Sequence, residues 1–558
     1  MSDHEYVTNR ELKVANSGLF RGSHFDMGML SLHLILIFLI VSLTMGSEKS
    51  LEVYNVAKNW VTNSSTPLFV YGIFAMIIFS LTLAVSPFGR IRLGKDDEKP
   101  EFSRWSWFAM LFSAGMGIGL LYWSVAEPLY HTTGNVFMPE AWGLGWDEAW
   151  NQGDKEAIAR QSMTVTFFHW GIHAWTVYVV IALSLAYFSY RRGLPLTVRS
   201  ALYPIVGDNV FGWFGNIIDL VAIFGTIFGV ATSLGLGVAQ LNAGLEALTN
   251  GALSVSTPVQ ILLIVIITLI ATVSAVSGVG KGVKILSELN MILSAIILVV
   301  FLVFTGFFFD IMVAYFRNLF NYVVEFIPMS LESDSSKQAG GYGWLSGWTI
   351  FYWAWWIAWS PFVGMFIARI SRGRTIREFI IGVLFVPTLL GAFWLTVFGE
   401  TALINELRGY ADFAFTAGGT EYTSVRDVAI GASSSSTYAL IEALDWSSVI
   451  KLIATFLVTI LIATYFITSA DSGTLVVTTM LSAGSDQPPR GARIFWGISI
   501  GAVASVLLWV GGDKALNALQ AAAITIGLPF LVILLLMCVG LTMALFDEKK
   551  RGLIPARA

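Results

Sequence analysis

A single cysteine, Cys538, in a chain of 558 residues permits no internal disulfide, so a disulfide-stapled secreted fold is excluded. Charge is scarce as well. Asp, Glu, Lys and Arg make up 13% of the residues, against about 25% in a soluble domain. A chain of this length would otherwise divide into several soluble domains. With so few charges it has no means of keeping their surfaces wet, which excludes a cytosolic enzyme and a disordered scaffold. A formal net charge of −4 offers no basic surface to a nucleic acid. What is abundant is apolar: 56% hydrophobic residues and a mean hydropathy of +0.71.

Crossing a hydrocarbon core takes about 20 apolar residues per helix. Twelve such runs are present, near 27–46, 66–87, 105–128, 164–189, 213–240, 258–279, 286–312, 346–368, 378–402, 447–475, 494–512 and 516–546. The chain therefore reads as an all-α polytopic membrane protein with twelve transmembrane helices. The first 26 residues are polar and lack a signal-peptide layout, so the first span is expected to be retained. Placing the N-terminus in the cytoplasm puts 23 of the 33 Lys and Arg on that side, as the positive-inside rule requires, and returns the C-terminus to it. The organisation expected is a tail at 1–26, one membrane domain at 27–546 and a short tail at 547–558. Within the domain, 27–104 holds two leading helices, 105–312 a first repeat and 346–546 a second. Residues 313–345 connect them, with an apolar-rich stretch at 313–328 that reads as an interfacial helix.

The repeat is read from helix-weakening residues inside spans. The third span carries Gly115-Met116-Gly117-Ile118-Gly119 and then Glu127-Pro128. The eighth carries Trp359-Ser360-Pro361 and Gly364, five spans later. Ala231-Thr232-Ser233 and Ile467-Thr468-Ser469 form a second echo. Both halves are expected to contain a broken helix, giving two spans followed by five and five; the competing reading is that the glycines only let helices pack closely. The glycine run lacks the strand, soluble helix and acidic residue of a dinucleotide site.

Twenty tryptophans are present, many of them mid-span rather than at membrane interfaces. The eighth span holds Trp348, Phe351, Tyr352, Trp353, Trp355, Trp356 and Trp359, and the fourth holds Trp170, Trp175 and Tyr178. A box of rings suits a quaternary ammonium or sulfonium ion, which offers no N–H for hydrogen bonding and is held by the ring quadrupole. Three or four desolvated rings at about 2 kcal/mol each would supply roughly 6–8 kcal/mol. The alternative is an aromatic packing core. His169 and His173 are spaced for one helix face, but with no accompanying metal-ligand pattern a packing or hydrogen-bonding role is preferred. Glu127 and Asp471 are expected to be caps of broken helices or groups on an ion pathway, with caps preferred.

These residues resemble the betaine/carnitine/choline transporter family over essentially the whole membrane part. The resemblance is carried by 348–377 with its Trp-Ala-Trp-Trp-Ile-Ala-Trp-Ser-Pro core, by 115–119, by His169-Trp-Gly-Ile-His-Ala-Trp175, and by Thr468-Ser-Ala-Asp-Ser-Gly473. It implies a LeuT-like 5+5 inverted repeat preceded by two extra helices, a homotrimer among membrane lipid, and a bacterial inner-membrane location. By resemblance Trp170, Trp175, Tyr178 and Trp356 form the onium box, Trp359 a second aromatic site, and Phe351, Trp355 and Met116 border the path. Carbonyls of Ser113, Met116 and Tyr465 with the hydroxyls of Thr468 and Ser469 resemble a sodium site, and Thr226 with Phe362 part of a second. Val230 stands where that second site should have a threonine. No Lys or Arg lies between Arg199 and Lys281 to replace the ion, and Gly119 occupies the position of the acidic residue of proton-coupled choline carriers. The short tail argues against tight osmotic gating.

The expectation is a sodium symporter, not an enzyme and with no cofactor, that imports a zwitterionic onium solute by alternating access. Glycine betaine leads, ahead of dimethylsulfoniopropionate, choline, carnitine and ectoine. The rival is a sodium-independent exchanger of the same compounds.

Overall fold

The computed structural model describes residues 5, 6, 8, 10–16, 18, 21–115, 117–137, 150, 151, 153–277, 282–333, 343–409, 413–485 and 487–554. Among these, ten helical stretches are long and apolar enough to cross a membrane, and the chain is an all-α polytopic membrane protein. The helices that frame the site are α1 (Phe25–Met45), α2 (Ser47–Val85), α3 (Arg104–Gly115), α4 (Ile118–His131), α5 (Lys155–Trp170), α6 (Ile172–Ala186), α7 (Trp213–Leu248), α8 (Thr257–Ser277), α9 (Gly282–Phe304) and α10 (Phe308–Ser330). They are followed by α11 (Thr349–Ile370), α12 (Ile376–Leu395), α13 (Ser448–Leu481), α14 (Arg490–Gly511) and α15 (Ala515–Lys550). A small hairpin pairs Phe415–Ala417 with Thr420–Tyr422, turning at Gly418 and Gly419, both with positive φ.

Several expected boundaries move. Helix α2 begins at Ser47, well before the apolar run expected at 66–87. At 1.5 Å per residue its 39 residues extend roughly 58 Å, about twice a bilayer core, so the polar first half projects past the membrane. The last two runs, 494–512 and 516–546, are α14 and α15, which abut through a single 3₁₀ turn, Gly512–Lys514. The connector at 313–328 is helical as expected and longer, Phe308–Ser330. It buries Ile311, Ala314, Asn318 and Tyr322 on one face and exposes Phe309, Val313, Phe316, Phe320, Val323 and Ile327 on the other, the spacing of an amphipathic helix.

The interruptions are also redistributed. The glycine run does break its span: α3 ends at Gly115, Gly117 is extended, and α4 starts at Ile118. The fourth span is broken too, at Gly171, where no interruption was expected. The eighth span is not broken at Trp359-Ser360-Pro361, contrary to expectation; α11 runs through it to Ile370. Pro361 has no N–H to give the carbonyl of Ile357, and the Ser360 hydroxyl donates to that carbonyl instead, at 2.8 Å. Gly364 is a packing glycine, since any side chain there would collide with Ile181 of α6. Helix α11 therefore lies directly against α6, with α7 and α15 on its other sides.

At one end of the bundle both ends of the chain meet a buried polar seam. Arg191 donates to both oxygens of Glu548 at 2.7 and 2.8 Å and to Asp96 at 2.7 Å. Arg192 donates to Asp547 at 3.1 Å and lies 3.9 Å from the ring centre of Tyr6, whose backbone N–H donates to the Arg192 carbonyl.

The Ser360 bridge is testable. Ser360→Ala leaves the Ile357 carbonyl unpaired and is expected to cost about 1–3 kcal/mol. In the double variant with Pro361→Ala, the new N–H at 361 restores the helical bond. Thermal unfolding in detergent should show a lowered midpoint for Ser360→Ala and recovery in the double variant; additive losses would refute the bridge.

Candidate functional site

The site is organised by the break at Gly171. Asp154 caps the start of α5, its carboxylate accepting from the Ala157 N–H at 3.0 Å. The helix ends at Trp170 because Gly171 leaves helical geometry (φ −90°, ψ −141°). A Cβ at 171 would lie 2.5 Å from the Tyr322 hydroxyl and 2.6 Å from the Phe167 carbonyl, so only glycine fits. The break releases backbone groups that a membrane interior cannot hydrate. The His169 carbonyl accepts from the indole N–H of Trp356 at 2.9 Å, and the Ile172 N–H donates to Tyr322 Oη at 3.0 Å.

That stitching brings the expected box residues together. Trp170 and Trp356 meet edge to face at 4.9 Å and 70°, Trp356 and Tyr178 at 6.4 Å and 75°, and Tyr178 and Trp175 at 5.4 Å and 76°. Rings set this steeply to one another form walls rather than a stack. Trp355 lies flat on Trp356 at 4.9 Å, and Phe351 flat on Trp355 at 5.5 Å, extending the wall along α11. Gly119 of α4 admits this wall, since a Cβ there would sit 2.5 Å from Trp355 and 3.2 Å from Trp170. Trp359 stands apart and pairs with Phe362 at 5.3 Å. Tyr178 Oη and Trp359 Nε1 are buried with no hydrogen-bond partner among the described residues.

Glu127 holds this assembly, a role that sequence reasoning missed. It is not a cap. One carboxylate oxygen accepts from Trp170 Nε1 at 2.7 Å and from the Tyr352 hydroxyl, and the other from His169 Nδ1 at 2.6 Å and His131 Nε2 at 3.3 Å. With Nδ1–H given to the carboxylate, a neutral His169 ring accepts at Nε2 from the Thr349 hydroxyl, 3.0 Å away. Glu127, His131 and His169 are fully buried, so one carboxylate cross-links α4, α5 and α11. Their nitrogen and oxygen atoms lie within 4.8 Å of one another. At 2.6 Å, however, His169 and Glu127 are closer than the ~3.3 Å that two ligands of one tetrahedral zinc ion keep. The cluster is a hydrogen-bonding one. The only local signal was the Glu127–His131 spacing of four. Asp471 is not a cap either: Ser274 donates to it at 2.8 Å, tying α8 to α13.

Of the expected ion ligands, Tyr465, Thr468 and Ser469 share one face of α13. The Thr468 hydroxyl donates to the Tyr465 carbonyl at 3.0 Å and accepts from Asn290 Nδ2 of α9 at 3.2 Å. Asn290 Oδ1 is buried without a partner among the described residues, an oxygen at this face that sequence reasoning did not name. Ser113 falls in the last turn of α3, and Met116 lies outside the described residues. Thr226 donates to the Ala222 carbonyl of its own helix at 2.9 Å, and Val230 packs on Gly473.

Comparison with known proteins finds a family model described as "BCCT, betaine/carnitine/choline family transporter" matching residues 27–550. The chain is 40% identical over 521 residues to Glycine betaine transporter 1 of Vibrio parahaemolyticus, covering 92% of each chain. It is 41% identical over 502 residues to the glycine betaine transporter OpuD of Bacillus subtilis, covering 88% of this chain and 89% of that one. A glycine betaine/proline/choline/ectoine transporter of Vibrio parahaemolyticus is 39% identical over 522 residues, covering 92% of this chain and 86% of that one.

The carboxylate hub makes a prediction. Glu127→Gln turns one acceptor oxygen into an amide that faces donors, and should destabilise the protein by about 1–3 kcal/mol. Glu127→Ala should cost more. Thermal midpoints in detergent check the order; equal midpoints for all three proteins would show that the hub carries no stability.

Proposed function

Because the chain belongs to the betaine/carnitine/choline transporter family, we propose that it is a secondary transporter importing a zwitterionic quaternary ammonium or sulfonium solute by sodium symport, with glycine betaine as the leading substrate. The observation that carries this reading is the set of steeply inclined rings of Trp170, Trp356, Tyr178 and Trp175. A cation without N–H donors gains its attraction from ring faces, and a desolvated ring is worth about 2 kcal/mol. The unpaired Tyr178 hydroxyl supplies a donor that a carboxylate-bearing solute can use and a simple cation cannot. Relatives in two bacteria that are named glycine betaine transporters point to the same chemistry.

For the coupling ion, the oxygen set is the Tyr465 carbonyl and the Thr468 and Ser469 hydroxyls, with the carbonyls of Ser113 and Met116. Hard oxygens fit a hard monovalent cation. Val230 offers a second ion no oxygen, so one well-formed site is proposed. The architecture is twelve spans, counting the broken α3–α4 pair as one and α14 and α15 separately. It is built as a 5+5 inverted repeat after two leading helices, alternates access, and assembles as a homotrimer in the bacterial inner membrane. The shared seam of the two chain ends and the distribution of Lys and Arg support an even number of spans with both termini cytoplasmic.

The test is uptake of labelled glycine betaine into proteoliposomes under an inward sodium gradient or equal potassium. Accumulation only with sodium is expected, and Thr468→Ala should abolish the sodium dependence. Trp356→Ala should raise KM about 30-fold, the loss of one ring face. Equal uptake with potassium, increased by preloading the vesicles with substrate, would instead establish an exchanger.

A further inference from the structure

The amphipathic helix α10 reaches the broken fourth span at two points, and both contacts fall on the break. Tyr322 Oη accepts the Ile172 N–H, the first amide after Gly171, at 3.0 Å. Just over two turns further on, Ser330 Oγ accepts from His173 Nε2 at 2.8 Å and donates to the Phe326 carbonyl of its own helix. The ring of Tyr322 stands edge to face on Phe167 of α5 at 6.4 Å, and Phe326 lies 4.9 Å from the His173 ring of α6. Helix α10 thus touches both sides of the hinge formed by α5 and α6. Trp170 sits on the near side of that hinge, and Trp175 and Tyr178 on the far side.

We propose that α10 is a clamp on this hinge, and that Tyr322 is a positioning residue for the onium box although its ring is not one of the box's walls. The proposal rests on the transport reading above only in taking those rings as the binding site. The physical argument is that an N–H released inside a membrane protein must be answered, and the angle of the break is set by what answers it. The narrow void beside the break, lined by Phe167, Trp170, Tyr322, Thr388, Ala392 and Leu395, is mostly apolar, so a water entering in place of the hydroxyl would lack the polar partners that hold a buried water. Without the Tyr322 oxygen the hinge loses its preferred angle, and the separation of Trp170 from Trp175 and Tyr178 becomes a distribution. Affinity then falls by the fraction of molecules with the box aligned. The outer face of α10, with Phe316 and Phe320 exposed, plays no part in the contact.

The experiment compares the parent protein with Tyr322→Phe, Ser330→Ala and Phe320→Ala in detergent, using glycine betaine as the probe. Tyr322→Phe is expected to weaken binding about tenfold, the effect of one unpaired buried amide. Ser330→Ala should weaken it about threefold by the same reasoning for a side-chain contact. Phe320→Ala should leave it unchanged, and maximal uptake in proteoliposomes should be retained in all three. A second readout needs no ligand: the near-ultraviolet circular dichroism of the tryptophans should change in Tyr322→Phe and not in Phe320→Ala. Affinity of Tyr322→Phe equal to the parent, an unchanged spectrum, or an equal loss in Phe320→Ala would each overturn the clamp. If Tyr322→Phe does not fold, Ser330→Ala carries the same comparison. A parent protein that binds no onium compound overturns the transport reading, while the ligand-free spectra still decide the clamp.

Discussion

Inside a bilayer an amide or carbonyl released from a helix has no water to turn to, and the functional part of this molecule is built around that constraint. Two of the interruptions are answered by particular side chains. At Gly171 the freed carbonyl takes the indole of Trp356 and the freed amide takes the phenol of Tyr322. At Pro361 the orphaned carbonyl takes the hydroxyl one residue before, and the helix continues. In the first case the answering groups come from other helices, so satisfying the backbone also fixes tertiary structure. The tryptophan that caps the break is itself a wall of the box, which makes the chemistry of the break and the geometry of the site one problem.

The charge at the centre obeys the same logic. Among the described residues Glu127 has no Lys or Arg partner; it is surrounded by an indole, a phenol and two imidazoles, each giving one hydrogen bond. Neutral donors meet the carboxylate's hydrogen-bonding demand without adding a counter-charge. They also lock the planes of Trp170 and Tyr352. Helix α11 carries Tyr352 together with Phe351, Trp355 and Trp356 of the adjoining wall, and Gly364 lets it press directly on α6, so the aromatic wall has a rigid back.

The apolar runs, the i,i+3 pairing of Trp175 with Tyr178, and the dense tryptophans of the eighth span were legible because each depends only on neighbours in the chain. What was not legible depended on distant partners. Gly171 reads as any packing glycine until Tyr322, about 150 residues later, is placed against it. Pro361 is the exception: what closes its gap is the neighbouring Ser360 hydroxyl, and a serine before a proline does not by itself say which way its hydroxyl turns. Glu127 reads as a cap because its partners lie 42, 43 and 225 residues away. The early start of α2 was hidden for another reason: a helix beyond the bilayer is polar, and hydropathy registers only the part inside.

The seam at the chain ends bears on how the protein is made. Arg191 and Arg192 leave the ribosome long before Asp547 and Glu548, yet in the finished fold their guanidinium groups are shut away from water and balanced mainly by those two acids. A nascent chain that has already inserted its first spans must keep these arginines hydrated, or leave them buried without counter-charge at considerable cost. Closure of this end of the bundle is therefore deferred until the last helix has been synthesised. A chain cut short anywhere before Asp547 would leave Arg192 without its acids and Arg191 with Asp96 alone, a local defect that distinguishes an unfinished molecule from a finished one.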